Sequence, residues 1–336
     1  MRTILITILI FAVIIFIHEC GHFAAAKLCK VRVNEFALGM GPTLFHFGKG
    51  ETRYALRLFP IGGFVSMEGE DGGSGDPRAF CNQKVWKRIL IVCAGAFMNL
   101  VLGFIVVLLM TIPSDRLPSM TVAQFYENAS TEATGLQAGD EILRVNGRSI
   151  WVDSDLVYTL STDEDGVVDM VVRRDGEKVE LSDVAFTTQD GTLVIDFTVQ
   201  GVPANLPNVL SYSFRKTASI GRLVWIAVGQ LITGQSSINE LSGPIGTAQA
   251  IGQAVSAGLS TVMYLFAFIT INVGIFNILP LPALDGGRLI FLLFELITRR
   301  RIKPEHEAYV HFAGFVLLIL LIIFVSYHDI VNLIRG

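Results

Sequence analysis

Apolar residues cluster in four long runs: Thr3 to Ala26, Ile89 to Ile112, Leu259 to Leu279 and Tyr309 to Val325. Each approaches the ~20 residues an α-helix needs to cross a hydrocarbon core about 30 Å thick, so the pattern predicts four transmembrane helices. The first run is too long for the apolar core of a signal peptide and has no small-residue cleavage site after it. A His-Glu-Cys-Gly-His pentad, His18 to His22, lies inside it. Beyond that span, Tyr54, Leu56 and Leu58 alternate with Arg53, Ala55 and Arg57, and Pro60-Ile61-Gly62-Gly63 then turns the chain. That pattern predicts a short β-hairpin over 51–64 at the membrane face. Further on, Leu210 to Ile232 mixes Arg215, Lys216 and Arg222 with Trp225, Ile226, Val228 and Leu231. Too charged at its start to span, it reads as an amphipathic helix on the outer leaflet or against the spans.

Between the second and third spans the pattern changes to that of a globular α+β module, Ser119 to Gln200. Its strongest feature runs from Gly135 to Gly147 as GLQAGDEILRVNG, a turn followed by an alternating strand that an Asn-Gly tight turn closes. Val167 to Arg173, Asp175-Gly176 and Lys178 to Leu181 form a second hairpin signal. The module resembles a PDZ domain, which implies strand-addition binding of extended peptides. The plainer reading is that Asp140 and the glycines only hold a turn. There is room for one such copy, so the chain divides into 1–112, 119–200, a connector over 201–258, and 259–336. The expected fold is a polytopic α-helical membrane protein with a membrane-associated β-hairpin and an inserted extracytoplasmic module.

Charge fixes an expected orientation. Charged residues make up 17% of the 336 and hydrophobic ones 51%, well below the quarter charged that is usual for soluble domains. Lys27, Lys30, Arg32, Lys49, Arg53, Arg57, Lys84, Lys87 and Arg88 lie between the first two spans, and Arg299, Arg300, Arg301 and Lys303 between the last two. The positive-inside rule puts both loops in the cytoplasm, and the module and both termini outside. Cys20, Cys29, Cys81 and Cys93 all fall in the membrane or on the reducing side, so no disulfide is expected. A net charge of −4 with no basic face argues against nucleic acid as a partner. The acidic, glycine-rich stretch Glu68 to Pro77 reads as a solvated loop, with a second metal site the lesser alternative.

The pentad carries the chemistry. Positions i and i+4 share a helix face, so His18 and His22 can reach one metal ion, and Glu19 lies near enough to accept a proton from water there. Cys20 falls on roughly the opposite face and is excluded as a ligand. Two imidazoles and an oxygen ligand suit zinc in its open catalytic geometry. Ionisable groups inside an apolar span are costly and mostly functional, which weighs against a chance match. Leu28 stands six residues past His22, so the metzincin pattern is absent, and Glu35 lies in the loop beyond the span. The better third ligand is Asp285, just after Pro280 and Pro282 interrupt the third span. Taken alone, Asp285 reads as the N-cap of a following helix; beside a two-histidine site the ligand reading is stronger. His46, His306, His311 and His328 show no ligand spacing.

The pentad, Leu284-Asp285-Gly286 after Asn277-Ile278-Leu279-Pro280-Leu281-Pro282, and the outer module together resemble the site-two protease family of intramembrane zinc metalloproteases. Within it, the chain is most similar to the bacterial RseP-like regulator-of-sigma proteases, here with a single PDZ domain. Gly95 and Asn99, and Ser242-Gly243-Pro244-Ile245-Gly246, also look like motifs of that family. The resemblance implies Zn2+ held by His18, His22 and Asp285, Glu19 as general base, and Asn277, Pro280 and Pro282 positioning substrate. Asn99 either acts on the substrate or oxyanion side or simply bonds a neighbouring helix. Implied substrates are single-pass membrane proteins such as anti-sigma factors or signal-peptide remnants, trimmed first by another protease. The implied location is the bacterial inner membrane, with the lipid bilayer as solvent and the site toward the cytoplasm. His18 is about 22 Å along the helix from Thr3, which agrees with that depth. Tyr54 to Phe59 is expected to receive the unwound substrate by edge pairing, and the module to gate access. The rival classes are a membrane-embedded PDZ scaffold, against which the intact motif argues, and a metal transporter, which needs neither a general base nor a peptide-binding module.

Overall fold

Helix α1 (Arg2–Leu28) leads into strands β1 (Val33–Phe47) and β2 (Arg53–Met67), and α2 (Val85–Thr111) follows. Next come β3 (Arg116–Phe125), α3 (Ser130–Ala133), β4 (Glu141–Val145), β5 (Arg148–Ser149), α4 (Asp153–Ser161), β6 (Val167–Arg174) and β7 (Glu177–Ala185). Strands β8 (Thr187–Gln189), β9 (Thr192–Val194) and β10 (Phe197–Pro203) end that stretch. Helices α5 (Leu206–Thr233), α6 (Pro244–Ala257), α7 (Leu259–Ile278), α8 (Asp285–Thr298) and α9 (Pro304–Arg335) complete the chain. This computed structural model describes all residues except 1, 49, 71, 164, 190–191, 235–242 and 336, and not the side chains at 60–61, 188–189, 192, 232 and 332–335. Among the described residues, α1, α2, α7 and Pro304–Val331 of α9 are long and apolar enough to cross a membrane, where four spans are expected. By contacts the chain divides into Met1–Val106 with Val224–Gly336, and Val107–Leu223.

In the first unit the β structure is larger than the sequence suggests. Both arms are fifteen residues long, and the expected hairpin over 51–64 covers most of the second arm only. The arms also fold back on themselves. Phe36 pairs with Val65 on one side and Tyr54 on the other, and Tyr54 pairs in turn with Phe47. The order across the sheet is therefore 63–67, 33–38, 53–57, 43–47, with reversals near Gly39–Pro42 and at Pro60–Gly63. Gly39 and Gly62 both take φ of +83°, open to glycine without strain, and a Cβ on Gly39 would lie 2.5 Å from the Phe59 carbonyl oxygen. Tyr54 to Leu56 consequently has neighbours on both sides and is no edge, contrary to the expected receiving strand. Among the described residues, Gly63–Met67 is the outermost strand on one side. The sheet exposes Met40, Leu44, Phe45, Phe47, Leu56, Leu58 and Phe59, an apolar surface fit for lipid.

Helix α6 falls inside the expected connector over 201–258, yet it packs with the spans: Ile251 joins Ile10, Ile14 and Ile269 in one buried cluster. The acidic stretch Glu68 to Pro77 is not merely solvated. Glu68 accepts from Asn34 and Ser74, Glu70 from the Met67 N–H and from Arg288, and Asp76 from the Arg78 N–H. Hydrogen bonds from Asn34 and Ser74 hold the Glu68 carboxyl below its ordinary range, as the Arg78 backbone N–H does for Asp76. Asp71 lies outside the described residues. All four cysteines are free, as expected.

The second unit is built on a sheet ordered β10-β3-β4-β6-β7, with β5 on β4. Val122, Leu136, Ile142, Val145, Val168, Met170, Val172 and Val184 close its core. Both predicted hairpins are present. Asn146-Gly147 and Asp175-Gly176 each have two successive positive φ angles, as tight turns between twisted strands require. Buried Asp140 accepts from the Gln137 N–H and pairs with Arg174 at 2.7 Å, so it braces a turn. The start of α5 is committed to this unit as well. Lys216 pairs with Asp153, and Arg222 lies 2.7 Å from buried Asp155 and over the Trp151 ring at 4.1 Å. Two of the three basic residues of the expected amphipathic stretch are thus spent on carboxylates of the same unit.

Candidate metal centre

Two glycines let the pentad meet α2 at backbone distance. A Cβ on Gly21 would lie 2.3 Å from the Ala94 carbonyl oxygen, and one on Gly95 2.3 Å from Nε2 of His22 and 2.7 Å from Cε1 of His18. Only where glycine leaves the Cβ out can the two imidazoles come this close to the α2 backbone. There, Nδ1–H of His22 donates to the Ile91 carbonyl at 2.8 Å, and the Asn99 side chain reaches Nδ1 of His18 at 3.2 Å. Ile91, Gly95 and Asn99 stand at intervals of four, one stripe along the helix. Both Nε2 atoms are left pointing the same way.

Asp285 arrives from the break in the third span. Helix α7 stops at Ile278, and α8 begins at Asp285, so Leu279–Leu284 is non-helical, as the two prolines demand. The loop is tightly held. Ala283 takes a φ of +72°, and its N–H donates to Nδ1 of His311 at 3.1 Å. A Cβ on Gly286 would lie 1.9 Å from the Leu279 carbonyl oxygen, and one on Gly314 2.1 Å from Cβ of Pro282. The N-cap of α8 is Leu284, with no side-chain cap bond, so Asp285 is not the cap. Its Oδ2 instead lies 3.1 Å from Nε2 of His18 and 3.3 Å from Nε2 of His22. The two Nε2 atoms are themselves 3.1 Å apart.

Those three distances test whether a metal fits. Ligand atoms about 2.05 Å from a tetrahedral zinc stand roughly 3.3 Å from one another. The triangle has that size. Oδ2 of Asp285 is moreover buried, with both imidazole nitrogens within 3.3 Å of it. The three atoms lie close enough to share one ion. Among the described residues this is the one group of three or more His, Cys, Asp or Glu side chains close enough to share an ion. Cys20 is not part of it, as its place on the helix implies.

Glu19 lies against the sheet: a Cβ on Gly63, at the start of the outer strand, would lie 3.0 Å from its Cγ. Asn277 is half-buried at the end of α7, and Pro280 and Pro282 bracket the break. Asn99 is fully buried and bonds His18 on the neighbouring helix, the second of its two expected readings. His311, which shows no ligand spacing, holds the loop that delivers Asp285. Sequence reasoning also missed the Ile91 carbonyl and Gly63, backbone contributions that no side-chain motif reveals. Arg88 and Glu295 form a nearly buried pair at 2.8 Å that joins α2 to α8, with Arg301 also on Glu295. Ser242 of the Ser-Gly-Pro-Ile-Gly motif lies outside the described residues; Gly246 N–H donates to Asp329 of α9 at 2.9 Å.

Comparison with known proteins bears on this geometry. The family profile described as peptidase family M50 matches residues 6–321. A Clostridium acetobutylicum protein carrying a zinc-metalloprotease name is 33% identical over 332 residues, covering 98% of this chain and 97% of its own. Zinc metalloprotease RasP of Bacillus licheniformis is 30% identical over 424 aligned positions, covering 99% and 100%. The regulator of sigma-W protease RasP of Bacillus subtilis is 27% identical over 420, covering 99% of each chain.

Proposed function

The chain belongs to peptidase family M50 and is a zinc metalloprotease, and from that premise we propose that it cuts single-pass membrane proteins within the bilayer. The observation that carries the reading is the 3.1–3.3 Å triangle of His18, His22 and Asp285 beside Glu19, with both histidines and Glu19 on a helix apolar enough to span. Zinc held by those three side chains supplies Lewis acidity to a scissile carbonyl and to the attacking water. Glu19 takes the water proton at its carboxylate and passes it to the leaving nitrogen. The substrate helix has to unwind first, because peptide bonds inside an intact helix are hydrogen-bonded and shielded. The outer strand Gly63–Met67 is the edge we assign to the unwound segment; its contact with Glu19 supports this in place of Tyr54 to Phe59. Asn277, Pro280 and Pro282, at the break after α7, are assigned to positioning the substrate.

The finer reading concerns substrates and access. Kinship with a regulator of sigma-W protease supports anti-sigma factors, trimmed beforehand by another protease, as the substrate class. The inserted α+β module is read as a PDZ domain on the outer side that screens substrates by the size of their outer parts. One copy fits the lengths: the RasP alignment needs 424 positions where the Clostridium one needs 332. The site is read as facing the cytoplasm of a bacterial membrane. The test is to compare membrane-protein fragments in cells carrying the wild type and Glu19→Gln. Uncut single-pass precursors accumulate in the variant if the proposal holds; identical fragment patterns refute it.

A further inference from the structure

The two histidines are held in different ways. The Ile91 carbonyl can only accept, so Nδ1 of His22 carries the proton and Nε2 keeps its lone pair free toward the shared centre. His18 has no such fixed partner. Its Nδ1 faces the carboxamide of Asn99, which is fully buried and whose Oδ1 has no hydrogen-bond partner. A carboxamide presents a donor at one end and an acceptor at the other, and a half-turn about its last torsion exchanges them at unchanged shape. With the amide NH2 toward Nδ1, as the structure has it, neutral His18 carries its proton on Nε2, facing Asp285. With the oxygen toward Nδ1, the proton sits on Nδ1 and the Nε2 lone pair is free.

We infer that Asn99 is the positioning residue for His18, turning its carboxamide oxygen to Nδ1–H so that Nε2 is free to hold the metal. The inference rests on His18 being a ligand. Proton and hydrogen bond balance in both states: one proton moves between the two ring nitrogens, and the amide reverses to match. A carboxamide serves both the metal-free and the loaded ring, which an apolar side chain does not. The stripe Ile91–Gly95–Asn99 thereby acts as a template that sets both ring orientations from one helix face.

The experiment is zinc affinity by chelator competition on the purified full chain. Asn99→Leu is expected to bind zinc about 10- to 100-fold more weakly, the usual loss when a ligand's outer partner is removed. Asn99→Asp, which keeps an acceptor, is expected to recover most of that loss. Thr270→Val removes a bond to the Asn99 backbone carbonyl, 3.3 Å, without touching His18, and should bind as the wild type does. Equal weakening by Thr270→Val and Asn99→Leu would reduce Asn99 to a helix-packing residue and overturn the inference. His18→Ala separates the two levels of the argument. If it alone loses zinc while Asn99→Leu binds like the wild type, only the inference fails; if His18→Ala binds like the wild type, the ligand reading fails with it. Nitrogen-15 spectra of histidine-labelled, zinc-loaded wild type need no variant to fold. Protonated Nδ1 on both rings is expected, and an unprotonated, unligated Nδ1 on His18 would overturn the inference.

Discussion

Gly95→Ala adds one methyl group where α2 meets the pentad. Its carbon would sit 2.3 Å from Nε2 of His22 and 2.7 Å from Cε1 of His18, where an ordinary carbon–nitrogen contact is roughly 3.5 Å. The rings must withdraw by about 1 Å, several times the ~0.2 Å tolerance of ligand distances. A misplacement of that size costs on the order of 100-fold in turnover. Local helix energetics push the other way, since alanine is better than glycine by about 1 kcal/mol in a helix interior. The expected phenotype is therefore a helical protein that holds zinc at least tenfold more weakly and cleaves on the order of 100-fold more slowly. Circular dichroism, chelator competition and cleavage of a transmembrane peptide read the three quantities on one preparation. Wild-type zinc affinity and turnover in Gly95→Ala would refute the claim that the rings lie on α2 at this residue.

Three further outcomes are expected. A single cysteine at exposed Lys178 should react with a membrane-impermeant thiol reagent in intact cells, whereas Cys81 should react only after the membrane is opened; the reverse pattern would undo the orientation, and Asp190, another candidate, lies outside the described residues. Replacing Ser119 to Gln200 by a flexible linker should leave zinc bound and newly permit cleavage of untrimmed substrate, because no metal-site residue belongs to that stretch; retained zinc with neither substrate cut would make the module a docking element instead of a filter. Lys27 and Arg78 hold the Glu51 carboxyl down to about 2 from 4.5. A depressed carboxyl stabilises the fold above its unfolded value and ceases to as pH falls through the folded one. Protection of the β2 amides next to Glu51, taken as exchange relative to the intrinsic rate at each pH, should accordingly fall between pH 4.5 and 2 in the wild type and show no such step in Glu51→Gln.

The spans and the three converging side chains were legible because each follows from a short-range rule. Twenty apolar residues make a spanning helix, i and i+4 share a face, and two prolines stop a helix where a ligand is needed. The sheet was half legible. Alternation marked Arg53 to Leu58, but nothing local announced that β1 would pair with it twice, because register is set by long-range contacts and by glycines such as Gly39. Asn99 shows the same limit in the site: its residue type fits several roles, and its burial against His18 is a long-range contact that no local pattern announces. His311 has no ligand spacing, and its contact is with the Ala283 backbone, which no motif around it announces.

The central claim is that His18, His22 and Asp285 hold one zinc ion that Glu19 uses without binding it. Its most direct test is zinc per polypeptide, measured by atomic emission on purified wild type, Glu19→Gln and Asp285→Ala, with transmembrane-peptide cleavage read from the same samples. The account predicts zinc without cleavage in Glu19→Gln, and loss of both in Asp285→Ala. Full zinc and full cleavage in Asp285→Ala would contradict it.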